Sequence, residues 1–119
     1  MKIVGLHITA AGGFTLVTYD THDQASLTVM QELVGGWLES APVDPRLGIT
    51  MYCNEEGKLM GLPVNFAASL LIHPEVDDLI MGDVLIVGAP DAEGYDTDLP
   101  PFARLMALTK GGGDGRATH

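Results

Sequence analysis

The sequence predicts an α+β domain: a mostly antiparallel sheet of four to five strands packed against one principal helix, with a C-terminal helix. Three observations carry that prediction. Two β-rich runs, residues 2–10 and 14–19, flank the glycine-rich turn Ala11-Gly12-Gly13. A helical apolar repeat follows at Leu27, Met30, Leu33 and Val34. Further short apolar runs, bounded by glycine and proline, occupy the rest of the chain. At 119 residues and 46% hydrophobic content, the chain suits one folded domain and does not read as disordered.

The first run alternates, with Val4, Leu6 and Ile8 on one face and Ile3, Gly5 and His7 on the other. It pairs with residues 14–19 as an antiparallel hairpin, glycine supplying positive φ in the turn. A helix over residues 21–34 starts at Thr21, whose hydroxyl can cap the first turn, with Gln24 three positions on. Gly35-Gly36 stops it, one of the two glycines taking the left-handed cap. Residues 37–40 form a short strand, and the two prolines of 42–48 make that stretch a loop. Residues 49–53 resume as a strand. Residues 58–60 can return antiparallel across a turn in which Gly57 is left-handed.

Pro63 resists an early helix start, so Asn65 caps a helix over residues 66–72. Residues 84–87 are apolar without interruption, as expected of a central strand. A helix over residues 102–109 follows Pro100-Pro101, and Gly111-Gly112-Gly113 ends it. The expected domain is therefore residues 1–110, with 111–119 a flexible glycine-rich tail.

Charge excludes one class of function. Sixteen acidic side chains against 6 basic leave a net charge of −10. Direct binding to a nucleic-acid backbone is therefore not expected, since that affinity comes from lysine and arginine displacing counterions. A basic protein partner is the natural counterpart. The single Cys53 forms no internal disulfide, and no run reaches the length of a membrane span. The expectation is a cytoplasmic protein, not bound to a membrane.

Motifs for chemistry are sparse. His7, His22, His73 and His119 show no i, i+4 pairing, so no metal site or cofactor is expected. Asp91, Glu93, Asp96 and Asp98 lack the glycine and glutamate positions of a calcium loop and read as a solvated turn. The pairs Glu55-Glu56 and Asp77-Asp78 are adjacent in sequence and so point apart in a strand, unlike an acid–base pair facing one substrate. No catalytic residue is assigned, and a non-enzymatic role is favoured. Residues 75–98 hold eight of the sixteen acids, while no lysine or arginine lies between Lys58 and Arg104. Glu75, Asp77, Asp78, Asp91, Glu93, Asp96 and Asp98 are the candidate acidic interaction surface. Asn54, Glu55, Glu56, Lys58 and Asn65, in the stretch NEEGKLMGLPVN, are the candidate ligand-binding set. There a turn, a rigid Pro63 bend and a helix N-terminus come together.

The blocks LTVMQELVGGWLE, MYCNEEGKLMGLPVN and GDVLIVG occur in that order over about half the chain. They resemble a family of small uncharacterised proteins of actinobacterial phages and their hosts' mobile elements. The matching positions are 31–36, 54–58, 61–63 with Asn65, and 82–88; the chain departs from the pattern at 10–13 and 42–48. The resemblance implies a phage or prophage protein made in the cytoplasm of the bacterial host cell, and supplies no catalytic residue. The expectation is thus a non-enzymatic phage accessory protein that binds a host or phage protein through an acidic surface. A small-ligand, nucleotide-like binder and a small hydrolase are the alternatives. Homo-oligomer formation stays open, because small sheets leave edges to cover.

Overall fold

The computed structural model describes residues 1–21, 24–103 and 116–118. Strands β1 (Lys2–Ile8), β2 (Phe14–Asp20), β3 (Leu38–Ser40), β4 (Ile49–Asn54), β5 (Val84–Gly88) and β6 (Arg116–Thr118) form one sheet. Helices α1 (Gln24–Val34) and α2 (Phe66–Ser69) and a 3-10 turn, Pro45–Leu47, accompany it. The strand order is β3-β4-β5-β1-β2-β6. The first five strands are mutually antiparallel, and β6 runs parallel to β2. This is the expected α+β architecture, with β5 inside the sheet and all five of its residues buried.

Alternation along the strands divides the core in two. Leu6, Ile8, Met51, Cys53, Val84 and Ile86 face one side, under Ala68, Ile72, Ile80 and Leu99. Ile3, Val17, Tyr19, Leu85 and Val87 face the other, against Met30 and Val34 of α1. Both faces of the sheet are thus covered, which is why β5 reads as unbroken apolar sequence. Gly5, central in β1, has its ideal Cβ position 3.0 Å from Leu85 Cδ1 and 3.1 Å from Ile86 O, so a side chain there would press against β5.

The β1–β2 hairpin forms in the register Lys2↔Asp20 to Ile8↔Phe14. Its loop spans residues 9–13, longer than the expected 11–13. Thr9 takes the chain out of the ladder: its N–H donates to Gly13 O, and its Oγ1 accepts from Gly13 N–H. Helix α1 is described over Gln24–Val34, within the expected 21–34. Thr21 is buried, with its N–H donated to Met1 O, and its expected capping of the first turn involves residues 22 and 23, which lie outside the described set. Gly35 takes the left-handed position at φ 80°, and Gly36 N–H reaches back to Gln31 O to close the helix. The buried face of α1 is Met30 and Val34, while Leu27 is 40% exposed. The Nε2–H of His7 donates to Leu33 O at 2.7 Å, tying the end of α1 to the sheet.

Other stretches differ from expectation. Residues 58–60 form no strand. The chain after β4 instead winds through consecutive turns, with Gly57 N–H donating to Asn54 O, Met60 N–H to Glu56 O and Leu62 N–H to Gly57 O. Gly57 is not left-handed; Gly61 is, at φ 67°. Gly57 is needed for close approach, since a Cβ there would stand 2.8 Å from Met81 O. The second helix is the single turn Phe66–Ser69, shorter than the expected 66–72. Finally, Arg116–Thr118, expected in a flexible tail, pairs with Leu16–Thr18 of β2 as a parallel edge strand. Of the expected helix over 102–109, residues 102 and 103 are helical and the remainder lies outside the described residues.

Candidate functional site

A cleft of about 270 Å³ opens beside the β3 edge of the sheet. Its walls come from three segments. Glu39 and Ser40 belong to β3, Asn54, Glu55, Lys58 and Leu59 to the end of β4 and the turns after it, and Asp78 and Leu79 to the chain approaching β5. The β3–β4 pairing sets Glu39 opposite Cys53, and Trp37 O accepts from Glu55 N–H at 2.8 Å. The carboxylates at the cleft thus arrive by sheet register and by the tight turn that Gly57 permits.

Lys58 answers Asp78, twenty residues away, rather than its neighbours Glu55 or Glu56. That contact and the Leu79 N–H hold the Asp78 carboxyl below the usual carboxylate range. With the ammonium engaged, Glu39 and Glu55 leave the cleft net negative. An anionic ligand such as a nucleotide meets repulsion here, and a cation or basic side chain meets attraction. Apolar surface is exposed in the cleft, with Leu59 88% exposed and Leu79 50%, and Trp37, which pairs with Glu55 through its backbone, is 65% exposed.

The five residues of the candidate ligand set divide. Asn54, Glu55 and Lys58 line the cleft and Glu56 does not. Glu55 and Glu56 therefore do not face one substrate. Asn54 is buried, its Oδ1 accepting from Glu56 N–H at 2.9 Å and its Nδ2 donating to Gly35 O at 3.2 Å. Asn65 is 1% exposed and lies away from the cleft. It caps α2 by accepting from Ala68 N–H, and its Nδ2 donates to both Ile8 O and Gly82 O. Both Nδ2 donors and the Oδ1 acceptor are thus engaged by protein groups, and a one-turn helix with its cap filled offers no anion site.

The acidic residues also divide. Glu75, Asp77 and Asp78 precede β5, whereas Asp91, Glu93, Asp96 and Asp98 follow it. The strand puts the two groups at opposite ends of the sheet. Three of the second group accept hydrogen bonds from the protein itself. Asp91 Oδ1 accepts from Glu93 and Tyr95 N–H, Asp96 accepts from the Tyr52 hydroxyl at 2.6 Å, and Asp98 accepts from Val4 N–H. Burial and the Asp96 carboxylate raise the Tyr52 hydroxyl above its ordinary range. Sequence reading missed Glu39 and Leu59 as cleft residues. The pairing of residues 37–40 with 49–54 carries the signal for Glu39, and none exists for Lys58 meeting Asp78.

Burial, with Glu39 and Asp78 nearby, pushes the Cys53 thiol up to about 11. At pH 8 the thiolate is then roughly one part in a thousand, against about a quarter for a free cysteine. Ellman's reagent is expected to label folded Cys53 at pH 8 more than ~100-fold slower than free cysteine. Full labelling within the free-thiol time would make Cys53 a reactive group after all.

Among the described residues no helix is long and apolar enough to cross a membrane. No three His, Cys, Asp or Glu side chains among them converge as metal ligands do. The fold and the cleft define the class: a small α+β domain with an acidic, apolar-flanked cleft at a sheet edge. Residues 3–110 match a domain of unknown function, DUF3846, and the chain belongs to that family. No curated protein and no solved structure matches it.

Proposed function

We propose that this chain is a non-enzymatic phage accessory protein that binds a host or phage protein in the bacterial cytoplasm, through its acidic surface at the β3 cleft. One observation carries the reading: exposed Leu59 and Leu79 line the cleft with Glu39 and Glu55, while the one lysine of the cleft is taken by Asp78. Exposed apolar side chains rimmed by like charge suit a partner segment that is both apolar and basic. The net charge of −10 supports attraction of such a partner over distance. The phage origin rests on the ordered sequence blocks. A small-molecule ligand in the same cleft is the second reading, and the carboxylates restrict it to neutral or cationic compounds.

Affinity capture from host and phage-infected lysates, with partners identified by mass spectrometry, tests the first reading. Reversing Glu39 and Glu55 to lysine is expected to lower recovery of a basic partner at least tenfold, as does raising the salt. Reversing Asp91 and Glu93, at the far end of the sheet, is expected to leave recovery within twofold. Partners indifferent to the first pair of reversals would sink the proposal. Thermal shift by small cations at millimolar concentration, with no protein partner, would favour the second.

A further inference from the structure

We infer that the partner segment joins the sheet as an added strand along the open edge of β3, its basic side chains reaching into the acidic cleft. This rests on the partner-binding reading above and specifies how the partner is held.

The register pairs Leu38 with Asn54, Glu39 with Cys53 and Ser40 with Tyr52. In an antiparallel ladder, opposed residues alternate between pairs that exchange backbone hydrogen bonds and pairs that do not. Trp37 O accepts from Glu55 N–H, and Ala41 N–H donates to Met51 O. Residues 37, 39 and 41 therefore turn their backbone groups toward β4. Leu38 and Ser40 turn theirs the other way, and among the described residues β3 ends the sheet on that side. Two N–H donors and two carbonyl acceptors thus stand in a row at the edge.

Such a row is a template for strand addition, and many sheets guard it with lysine or a covering element. β3, Leu-Glu-Ser, carries no lysine. Proline 42 ends the usable edge after three residues, which sets a short pairing and makes side-chain contacts important. The side chains at hand select the occupant. Glu39 and Ser40 line the cleft together with Glu55. A strand docked at the edge places every second side chain on the cleft side, where lysine or arginine meets those carboxylates. A second copy of this chain is the poorer occupant. Two β3 edges meeting about a two-fold axis bring Glu39 near its own counterpart, between molecules that each carry −10.

The test uses the full chain, isotopically labelled, and nine-residue synthetic peptides alternating lysine or arginine with valine. Binding is expected to protect the Leu38 and Ser40 amides from hydrogen exchange at least tenfold. N-methylation of alternate peptide residues is expected to weaken binding tenfold or more in one parity and little in the other. On the protein side, Ser40→Pro removes an outward N–H without touching a bond to β4, and is expected to weaken binding by a similar factor. Binding that Glu39→Lys with Glu55→Lys abolishes, but that Ser40→Pro and both N-methylated series leave unchanged, overturns strand addition and leaves partner binding standing. No peptide binding overturns both. Concentration-dependent dimerisation that protects Leu38 and Ser40 without peptide gives the edge to a second copy and overturns the inference.

Discussion

Asn65→Ala is expected to lower the unfolding free energy by about 3–5 kcal/mol, measured by urea denaturation. The side chain is 1% exposed and joins three parts of the fold. Its Nδ2 donates to Ile8 O at the end of β1, 3.0 Å away, and to Gly82 O just before β5, 2.9 Å away. Its Oδ1 accepts from Ala68 N–H in α2 at 3.1 Å. Alanine leaves two carbonyls and one N–H without that partner in the interior, each orphaned group costing about 1–3 kcal/mol. Loss of the cap alone accounts for only about 1 kcal/mol of this. Asn65→Asp separates the contributions. It keeps the acceptor for Ala68 but loses both donors and aims a carboxylate at two carbonyls. Its folded-state pKa must then rise above the unfolded value. The folded protein takes up the proton first, so the variant gains stability as pH falls through that window. A variant Asn65→Ala within 1 kcal/mol of the parent would show that the crosslink is replaceable.

Asn65 also marks the limit of what the sequence discloses. Its capping role is legible locally, because an asparagine two residues after Pro63 precedes an apolar run. Its two other bonds join residues 57 and 17 positions apart, and no local signal announces them. The same division runs through the fold. The β1–β2 hairpin, α1 with its glycine stop, and the buried β5 follow from periodicity and turn chemistry within a dozen residues. The stretch after β4 does not, because its course depends on Gly57 lying against Met81 O, a contact made only once β5 is in place. Closeness in sequence misleads in the acidic segment. β5, at about 3.3 Å per residue, holds Asp78 well apart from Asp91. The cleft was half visible: Asn54, Glu55 and Lys58 lie in one turn region, whereas Glu39 and Asp78 arrive through tertiary structure. The proposed edge was open to reading only after the register of β3 on β4 was known.

Gly88→Ala is expected to cost about 2–4 kcal/mol, although alanine is a smaller change than most. Gly88 is fully buried at the end of β5, and its Cβ position is already occupied by Asp98 O and Thr97 Oγ1. One of these contacts is backbone, so the conflict is not relieved by turning a side chain. The 97–99 segment must move, and it carries several bonds. Gly88 N–H donates to Thr97 O, Thr97 Oγ1 donates to Ala89 O, and Leu99 N–H donates to Val4 O. Val4 N–H returns a bond to Asp98 Oδ1. Displacing the segment releases these together and draws Asp96 from the Tyr52 hydroxyl. The loss is therefore expected to be local before it is global: amide exchange of Val4, Gly88 and Leu99 accelerates at least tenfold, while that of Met30 and Val34 follows overall stability. The raised Tyr52 hydroxyl should move back toward its ordinary value, readable by ultraviolet titration. Gly94→Ala is the control. Its Cβ meets nothing within 4 Å, but its φ of 86° disfavours alanine, so only about 1 kcal/mol is expected, from backbone strain alone. Equal effects of the two substitutions would mean that the close approach at Gly88 relaxes freely, and that the 97–99 segment is not held by the strand it crosses.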